Sequence, residues 1–255
     1  MKFFTLCLLT AGWLGCHSTA AALDASVREL VVGIAPDWNS MHGHLQRFQR
    51  GAGGAWTPVS DPVPVMFGKN GLAWGRGVEG ADQPGLHKQE RDGRAPAGIF
   101  KIGRIYTYDP ALPEGASYPF HTVTTADAWV DNPKSSDYNR FVTIPDPAHP
   151  PAWFEKAKMR QGDDAYHWLV EIRHNADPPQ PGAGSAIFFH IRRTKNGELR
   201  PTSGCTTMAE PELVNLIRFL RAGDHPHYVL LPWNEYQKKW RDWGLPDPAQ
   251  VSAHP

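Results

Sequence analysis

The chain has 255 residues, with 26 basic and 26 acidic side chains and a formal net charge of zero. Such an evenly mixed charge argues against a nucleic-acid partner, which would need a basic surface. The 24 glycines, 24 prolines and 10 tryptophans favour a loop-rich β protein over a helical bundle.

Residues 1–22 have the organisation of a secretory signal peptide. Lys2 supplies a positive charge, an apolar stretch too short to cross a membrane follows, and alanines at 20–22 form a small-residue cleavage site. We therefore expect a protein exported to the periplasm or cell envelope. No stretch after residue 22 is apolar enough to predict a transmembrane segment.

The run Leu14-Gly15-Cys16 is similar to a bacterial lipoprotein cleavage site. Lipidation of Cys16 is therefore an alternative, although Trp13 occupies a position where such sites usually carry Leu. Cleavage after residue 22 would remove Cys7 and Cys16 and leave Cys205 as the only thiol of the mature chain.

The rest of the chain predicts one domain of moderate size over residues 23–245, followed by a tail at 246–255. Apolar runs and turn signals predict strands at 29–34, 62–67, 98–106, 168–173, 185–191 and 228–231. Helical spacing predicts short helices at 153–160, 211–221 and 234–243.

Residues 107–160 are irregular and rich in proline, aspartate and aromatic side chains. This composition indicates an insertion or an enlarged wall of the catalytic domain rather than a separate domain. The aromatic residues of this segment either shape a substrate cleft or pack the segment against the main sheet, and the sequence leaves both open. They are Tyr108, Tyr118, Phe120, Trp129, Trp153 and Phe154.

Cys205 lies in the run Pro-Thr-Ser-Gly-Cys-Thr-Thr-Met at 201–208. An unpaired cysteine in an oxidising compartment is a liability unless its reactivity is used. Most free cysteines are small buried hydrophobic residues, but the hydroxyl-rich surroundings and Gly204 are typical of a loop. The sequence therefore favours a cysteine nucleophile over a core cysteine.

A cysteine nucleophile needs a nearby base, because an ordinary thiol is mostly protonated at neutral pH. His190 ends the apolar run at 185–191, and the Asn196-Gly197 turn signal predicts a reversal that brings the chain back toward Cys205. A core histidine with a hydrogen-bonded ring fits the same spacing equally well. Backbone N–H groups around Gly204 and Cys205 could form part of an oxyanion hole.

The other histidines give weaker signals. His174 follows a strand. Its simpler interpretation is a structural histidine whose ring nitrogens are hydrogen-bonded. The close pairs at 42 and 44 and at 225 and 227 lack a matching cysteine or carboxylate framework, so we predict no metal site.

Two motifs resemble the catalytic domain of bacterial L,D-transpeptidases of the YkuD type. The first is His190 followed, about fifteen residues later, by Thr-Ser-Gly-Cys ending at Cys205. The second is the run Lys-Gln-Glu-Arg-Asp-Gly-Arg-Ala-Pro-Ala-Gly-Ile-Phe at 88–100, similar to Lys-x-Glu-x-Asp-Gly-x-Thr/Ser-Pro-x-Gly-x-Phe/Tyr. The run Gly-Lys-Asn-Gly-Leu-Ala-Trp-Gly at 68–75 also resembles the family, and the resemblance as a whole covers residues 65–220. We expect the polar run at 88–93 to have a structural role.

The resemblance implies a mainly β fold, a YkuD-like β-sandwich or barrel with a few short helices. It also implies a cysteine acyltransferase that needs no cofactor, with Cys205 as nucleophile, His190 as base and Gly204 shaping the catalytic loop. The substrate would be a peptidoglycan stem peptide, whose acyl group passes through a thioester to a diaminopimelate amine. Carbapenems, which acylate such cysteines, would inhibit the protein.

We expect Thr202, Ser203, Thr206 and Arg192 to contact substrate. The sequence departs from the family where many members carry an apolar residue and then Arg or Asn after the cysteine, since Thr206 and Thr207 stand there. Arg192 and Arg193 are candidate replacements. Ser203 often corresponds to a second histidine in the family.

Two other functions remain open at this stage. A peptidoglycan L,D-carboxypeptidase or amidase would use the same residues, because water would only have to replace the acceptor amine. A non-catalytic cell-wall binding module is the less favoured alternative, because binding needs neither a thiol nor a base. The donor and acceptor stems and the oligomeric state do not follow from the sequence.

Overall fold

The computed structural model describes residues 23–51 and 53–252. The predicted signal peptide and the alternative lipid site at Cys16 lie outside these residues, so both stay predictions. No helix in the described part of the chain is long and apolar enough to cross a membrane.

Strands dominate the described residues, with three short helices. The strands are β1 (Glu29–Ala35), β2 (His42–Arg50), β3 (Trp56–Pro58), β4 (Val63–Met66), β5 (Leu72–Trp74), β6 (Ala95–Thr107), β7 (Phe120–Thr122), β8 (Asp127–Trp129), β9 (Phe141–Thr143), β10 (Trp168–Ile172), β11 (Phe188–Ile191), β12 (Thr194–Lys195), β13 (Glu198–Leu199), β14 (Thr206–Met208) and β15 (His227–Pro232). The helices are α1 (Phe154–Ala157), α2 (Glu210–Phe219) and α3 (Trp233–Lys239).

Eight strands form a closed, barrel-like sheet in the order β1-β15-β6-β10-β11-β14-β4-β2. The ring closes because β2 also pairs with β1. Within the ring, β1 with β15 and β11 with β14 are parallel, and the other neighbours are antiparallel. The predicted mainly β fold with a few short helices is confirmed.

The central strands are buried along their whole length. All seven residues of β1, all five of β10 and all six of β15 are buried. Strands that are covered on both faces have continuous apolar sequences, whereas strands with one exposed face alternate between apolar and polar residues. One face of these strands fills the barrel interior, and helices cover part of the other. Helix α2 buries Leu213, Leu216 and Ile217 at the predicted helical spacing.

One local prediction around the catalytic motif was wrong, and one strand there was not predicted. The strand predicted at 185–191 begins only at Phe188, because Ala186 adopts a left-handed backbone conformation with φ 54°. The strand that was not predicted is β14, which follows Cys205 directly. The predicted reversal at Asn196-Gly197 is confirmed, with φ 54° and 79° at the two residues.

Segment 107–160 packs against the barrel beside β10 and β11. Strands β8 and β9 form a two-stranded ribbon in it, and α1 packs on β8 around a small apolar cluster. Trp129 joins the segment to the barrel, because its ring lies 4.9 Å from Phe188 and 5.8 Å from Tyr106. The segment is therefore a wall next to the strand that carries His190.

We predict that Leu230→Ala lowers the free energy of unfolding by about 2–5 kcal/mol, because a fully buried leucine leaves a cavity when truncated. Leu230 is 0% exposed in β15, between Gly33 of β1 and Gly98 of β6. Urea unfolding measures the change. Leu199→Ala, at a 44% exposed position, is the matched control, and equal effects of the two substitutions would contradict the buried position of β15.

Candidate active site

The parallel pairing of β11 with β14 brings Cys205 and His190 together. His190 lies opposite Thr207 in this pairing. Side chains alternate between the two faces of a strand, so Cys205, two residues before Thr207, points to the same face. Both Cys205 and His190 line a cavity of about 500 Å³. The predicted nucleophile and base therefore share one site.

The loop before Cys205 is held by Thr202. The Thr202 hydroxyl donates to the Cys205 carbonyl oxygen at 2.7 Å and accepts from the Gly204 N–H at 3.0 Å. Gly204 has φ 151°, and a Cβ atom there would lie 2.8 Å from the Arg94 carbonyl oxygen. A side chain at position 204 would therefore displace the loop that presents the thiol.

Cys205 is only partly accessible, and its thiol donates a hydrogen bond to the Ala186 carbonyl oxygen at 3.5 Å. Burial raises the pKa of the Cys205 thiol to about 11, although the positive charges of Lys88 and Arg193 oppose this shift. The free protein therefore holds Cys205 as a neutral thiol at pH 7.

His190 is buried at the end of β11, and its Nδ1 lies 2.9 Å from the Ile191 carbonyl oxygen. Because a carbonyl oxygen only accepts, this contact assigns the proton to Nδ1 and leaves Nε2 as the basic nitrogen. Burial lowers the pKa of His190 to about 4. The imidazole is therefore neutral at pH 7, with Nε2 unprotonated.

The described residues contain no hydrogen bond between the Cys205 thiol and the His190 ring, because the thiol donates to Ala186 instead. Proton transfer thus needs a movement of at least one of the two side chains. Tyr166 restricts the histidine, with its ring edge-on to His190 at 5.3 Å between centroids.

Asn139 of segment 107–160 fixes the backbone that the thiol contacts. Its Oδ1 accepts from the Ala186 N–H at 3.0 Å and from Trp129 Nε1 at 2.9 Å. Its Nδ2 donates to the carbonyl oxygens of His174 and Asn175 at 2.9 and 2.8 Å. Since Asn139 is buried and fully hydrogen-bonded, it holds Ala186 in its strained conformation.

Cationic side chains outnumber carboxylates around the cavity. Arg193 stacks over the Tyr166 ring at 4.8 Å and pairs with Asp163. An excess of positive charge favours anionic groups on a ligand. The cationic lining residues are Lys69, Lys88, Arg91, Arg193 and Arg200, and the acidic ones are Glu90 and Asp131.

Comparison with protein-family models gives a match to the L,D-transpeptidase catalytic domain (YkuD) over residues 55–229. The chain belongs to this family. A comparison with curated proteins found no match. Membership implies a catalytic domain of the L,D-transpeptidase acyltransferase type, and peptidoglycan as the substrate class of the family.

The predicted substrate contacts of this L,D-transpeptidase domain fall into two groups. Thr202 and Ser203 line the cavity. Thr206 is buried, and its hydroxyl lies 3.0 Å from the Tyr228 hydroxyl in the core. The expected substrate contact of Thr206 is therefore wrong, because the side chain points to the opposite face of β14.

The expectation for Arg192 also needs correction, since Arg193 and not Arg192 lines the cavity. Sequence reasoning further missed Thr207, which occupies the position where many family members carry Arg or Asn. Its side chain is fully buried at the cavity wall, and its hydroxyl has no hydrogen-bond partner among the described residues. Only the departure from the family pattern pointed to this position.

Two further sequence expectations concern His174 and the polar run at 88–93. His174 is buried and satisfied, because its Nδ1 accepts from the Arg76 N–H at 3.1 Å and its Nε2 contacts the Ala183 carbonyl oxygen at 2.9 Å. The structural role of the run at 88–93 is confirmed. Lys88 pairs with Asp92, which accepts from the N–H groups of Gln89 and Arg94 at 2.8 and 2.9 Å.

We predict that iodoacetamide alkylates Cys205 slowly at pH 7 and that the rate rises with pH toward 11. A shift of the thiol pKa from 9.0 to about 11 lowers the thiolate fraction at pH 7 by roughly a hundredfold. Rates measured by intact mass between pH 6 and 11, with free cysteine as reference, test this. A plateau of fast alkylation below pH 7 would instead show a preformed thiolate–imidazolium pair.

We predict that Thr202→Val lowers the free energy of unfolding by about 1–3 kcal/mol, because the Gly204 N–H and the Cys205 carbonyl lose a half-buried hydrogen-bond partner. The altered loop should also change the rate of Cys205 alkylation at pH 9. Thr202→Ser keeps the hydroxyl and should behave like the wild type. Identical behaviour of Thr202→Val and the wild type would show that the loop does not depend on this hydroxyl.

Proposed function

We propose that the protein is an exported cysteine L,D-transpeptidase that acts on peptidoglycan stem peptides. The placement of Cys205 and His190 on one face of the paired strands β11 and β14, inside one cavity, carries the proposal. Membership of the L,D-transpeptidase family supports the reaction class. Export rests on the signal-like sequence at residues 1–22, where the lipid anchor at Cys16 is the alternative.

In the first half-reaction, the Cys205 sulfur attacks the carbonyl carbon of the L,D amide in the stem peptide. His190 Nε2 takes the thiol proton as the carbon–sulfur bond forms, since both groups start neutral. The resulting imidazolium then gives this proton to the departing amine. Cleavage of the carbon–nitrogen bond leaves a thioester on Cys205 and a free amine product.

The tetrahedral intermediate needs a donor for its oxyanion. The Gly204 N–H already donates to Thr202, so we assign this role to the N–H of Cys205 itself. In the second half-reaction the diaminopimelate amine attacks the thioester, its proton passes to His190 Nε2, and the sulfur recovers the proton as it leaves. The cross-link forms and the free thiol is restored.

The charge of the cavity supports a stem peptide as acyl donor. Stem peptides carry several carboxylates, and five cationic side chains line the cavity against two acidic ones. Lys88 and Arg193 are paired with carboxylates outside the lining, which leaves Lys69, Arg91 and Arg200 as the other three cations. Arg193 lies where it can interact with such a carboxylate, beside Tyr166 and close to both reacting residues. We infer that it replaces the Arg or Asn that many relatives carry at the position of Thr207. Carbapenems should form an adduct on Cys205 by the same attack.

We predict that the wild-type protein converts disaccharide-tetrapeptide fragments of peptidoglycan into cross-linked dimers and that Cys205→Ala loses this activity completely. His190→Gln should lower the rate by at least about a hundredfold, as expected for removal of a general base. His149→Gln, an exposed histidine outside the cavity, is the matched control. Mass spectrometry of the products measures all four proteins.

Other products would select the alternatives. Loss of a terminal residue without dimers would make the protein an L,D-carboxypeptidase, with water as acceptor. Intact fragments with every variant would contradict the transpeptidase proposal and favour a cell-wall binding module. Activity retained by Cys205→Ala would exclude Cys205 as the nucleophile.

A further inference from the structure

A separate cavity of about 440 Å³ lies beside β5, the short strand that pairs with the start of β6 outside the ring of eight strands. This β5 cavity shares no lining residue with the cavity that contains Cys205. Leu72 and Trp74 of the run at 68–75 line it, and the proposed reaction gives these two residues no role. The β5 cavity is therefore a candidate for a second binding site.

Two tryptophans form a corner of the β5 cavity. The ring centroids of Trp38 and Trp74 lie 4.8 Å apart, and the rings are inclined at 69° to each other. Trp74 is fixed, because its Nε1–H donates to the Pro84 carbonyl oxygen at 2.9 Å and Lys239 lies over its ring at 5.5 Å. Trp38 is half-buried, so part of its surface is left for a ligand. An aromatic surface of this kind packs well against the C–H face of a sugar ring.

Positive charge exceeds negative charge around the β5 cavity. Among the described residues its cationic side chains are Arg94, Lys238 and Lys239, and Glu235 is the only acidic one. Glu235 is shared between the two lysines, at 3.0 Å from Lys238 and 3.9 Å from Lys239. Arg94 Nη1 donates to the Leu72 carbonyl oxygen at 3.0 Å, and no other group of the described chain accepts from this guanidinium. Arg94 therefore has donors left for a carboxylate.

The size of the β5 cavity limits the ligand. A water molecule takes a share of about 30 Å³ in the liquid, so the cavity holds about fifteen water-sized groups. This is the size of one sugar ring with an acidic substituent. Asn39 and Gln83 also line the cavity, and their amides can bond to sugar hydroxyls. A neutral sugar would leave Arg94 without a partner, and a small anion would not use Trp38.

Backbone hydrogen bonds hold the walls of the β5 cavity in place. The Leu72 N–H donates to the Trp38 carbonyl oxygen at 2.7 Å. On the other side, the Trp74 N–H donates to the Leu86 carbonyl oxygen and the Lys88 N–H to the Trp74 carbonyl oxygen, both at 2.8 Å. Strand β5 is therefore tied to the loops on both sides of it. A site built in this way loses little conformational entropy when a ligand binds.

We propose that the β5 cavity binds a sugar acid, with the sugar ring against Trp38 and the carboxylate at Arg94. Two sources share this chemistry. One is the muramic acid of a glycan strand that has lost its stem peptides, and the other is a uronic acid of a different polysaccharide. The muramic acid source would agree with the proposed L,D-transpeptidase function, whereas binding itself does not depend on that function.

The test measures binding to the wild-type protein by ligand-observed NMR titration with two pairs of sugars. N-acetylmuramic acid is compared with N-acetylglucosamine, which lacks the lactyl carboxylate. Glucuronic acid is compared with glucose in the same way. None of these sugars carries a stem peptide, so the proposed reaction does not consume them.

Two variants separate the charge from the ring. Arg94→Gln removes the guanidinium, and Trp38→Ala removes the aromatic surface. The matched controls are Arg91→Gln, an arginine that lines the Cys205 cavity instead, and Trp153→Ala, an exposed tryptophan that lines neither cavity. Because Arg94 also holds the Leu72 carbonyl oxygen, Lys238→Gln serves as a second charge variant. The side chain of Lys238 is 65% exposed, and its hydrogen bond goes only to Glu235.

We expect both acids to bind saturably and roughly threefold more tightly than their neutral partners, as for a partly exposed ion pair. Arg94→Gln should remove this difference and leave the binding of neutral sugars unchanged, and Lys238→Gln should reduce it. Trp38→Ala should weaken the binding of all four sugars. The two controls should bind like the wild type, and the melting temperature of each variant shows that it is folded.

Two results would overturn the proposal. One is equal affinity for acids and neutral sugars, or no saturable binding at all. The other is loss of binding in Arg91→Gln, which would place the sugar in the Cys205 cavity. If binding is confirmed, tighter binding of N-acetylmuramic acid than of glucuronic acid assigns the site to peptidoglycan glycan, and the reverse order assigns it to a uronic acid polymer.

The titrations and the test of the proposed function can fail independently. Cross-linking requires Cys205 and a stem peptide, and the sugar titrations use neither. Absence of cross-linked dimers would contradict the transpeptidase proposal, while the titrations would still decide whether the β5 cavity binds a sugar acid.

Discussion

The parallel pairing of β11 with β14 sets the position of both reactive side chains. It closes one side of the barrel, places His190 opposite Thr207, and puts Cys205 on the same face two residues earlier. The pairing is short, so its neighbours must hold it in register. Strand β10 flanks β11, strand β4 flanks β14, and helix α2 packs against β11. The reactive pair therefore depends on the closure of the whole sheet.

Burial determines the electrostatic state of this pair. It raises the pKa of the Cys205 thiol and lowers that of His190, so both groups are uncharged before substrate enters. A neutral thiol is a weak nucleophile, but it also resists oxidation better than a thiolate. The neutral state thus protects the cysteine in the free protein.

The sequence was most informative where long apolar runs or rare residues carry the signal. Strands β1, β6, β10 and β15 follow from their apolar patterns, since buried strands need such patterns whatever surrounds them. Cys205 and His190 stood out because of their residue types and spacing. The family match supports the resemblance that these two motifs indicated.

Other parts of the site depend on contacts between distant segments, which one sequence does not reveal. Asn139 is an ordinary residue of an irregular segment until its amide is seen between Trp129 and Ala186. Whether Thr206 or Thr207 lines the cavity depends on the register of a three-residue strand that no periodicity predicts. The left-handed conformation of Ala186 is likewise imposed by its partners.

The hydrogen bonds of Asn139 have a consequence for attempts to exchange parts between related enzymes. A chimera in which a short loop replaces segment 107–160 would leave the Ala186 N–H and the carbonyl groups of His174 and Asn175 without this partner inside the protein. The Ala186 carbonyl oxygen, which accepts the hydrogen bond from the thiol, would then lose its fixed direction. A transplanted loop must therefore place a side-chain amide where that of Asn139 lies. Without it, the chimera would keep the barrel but lose the alignment of its cysteine.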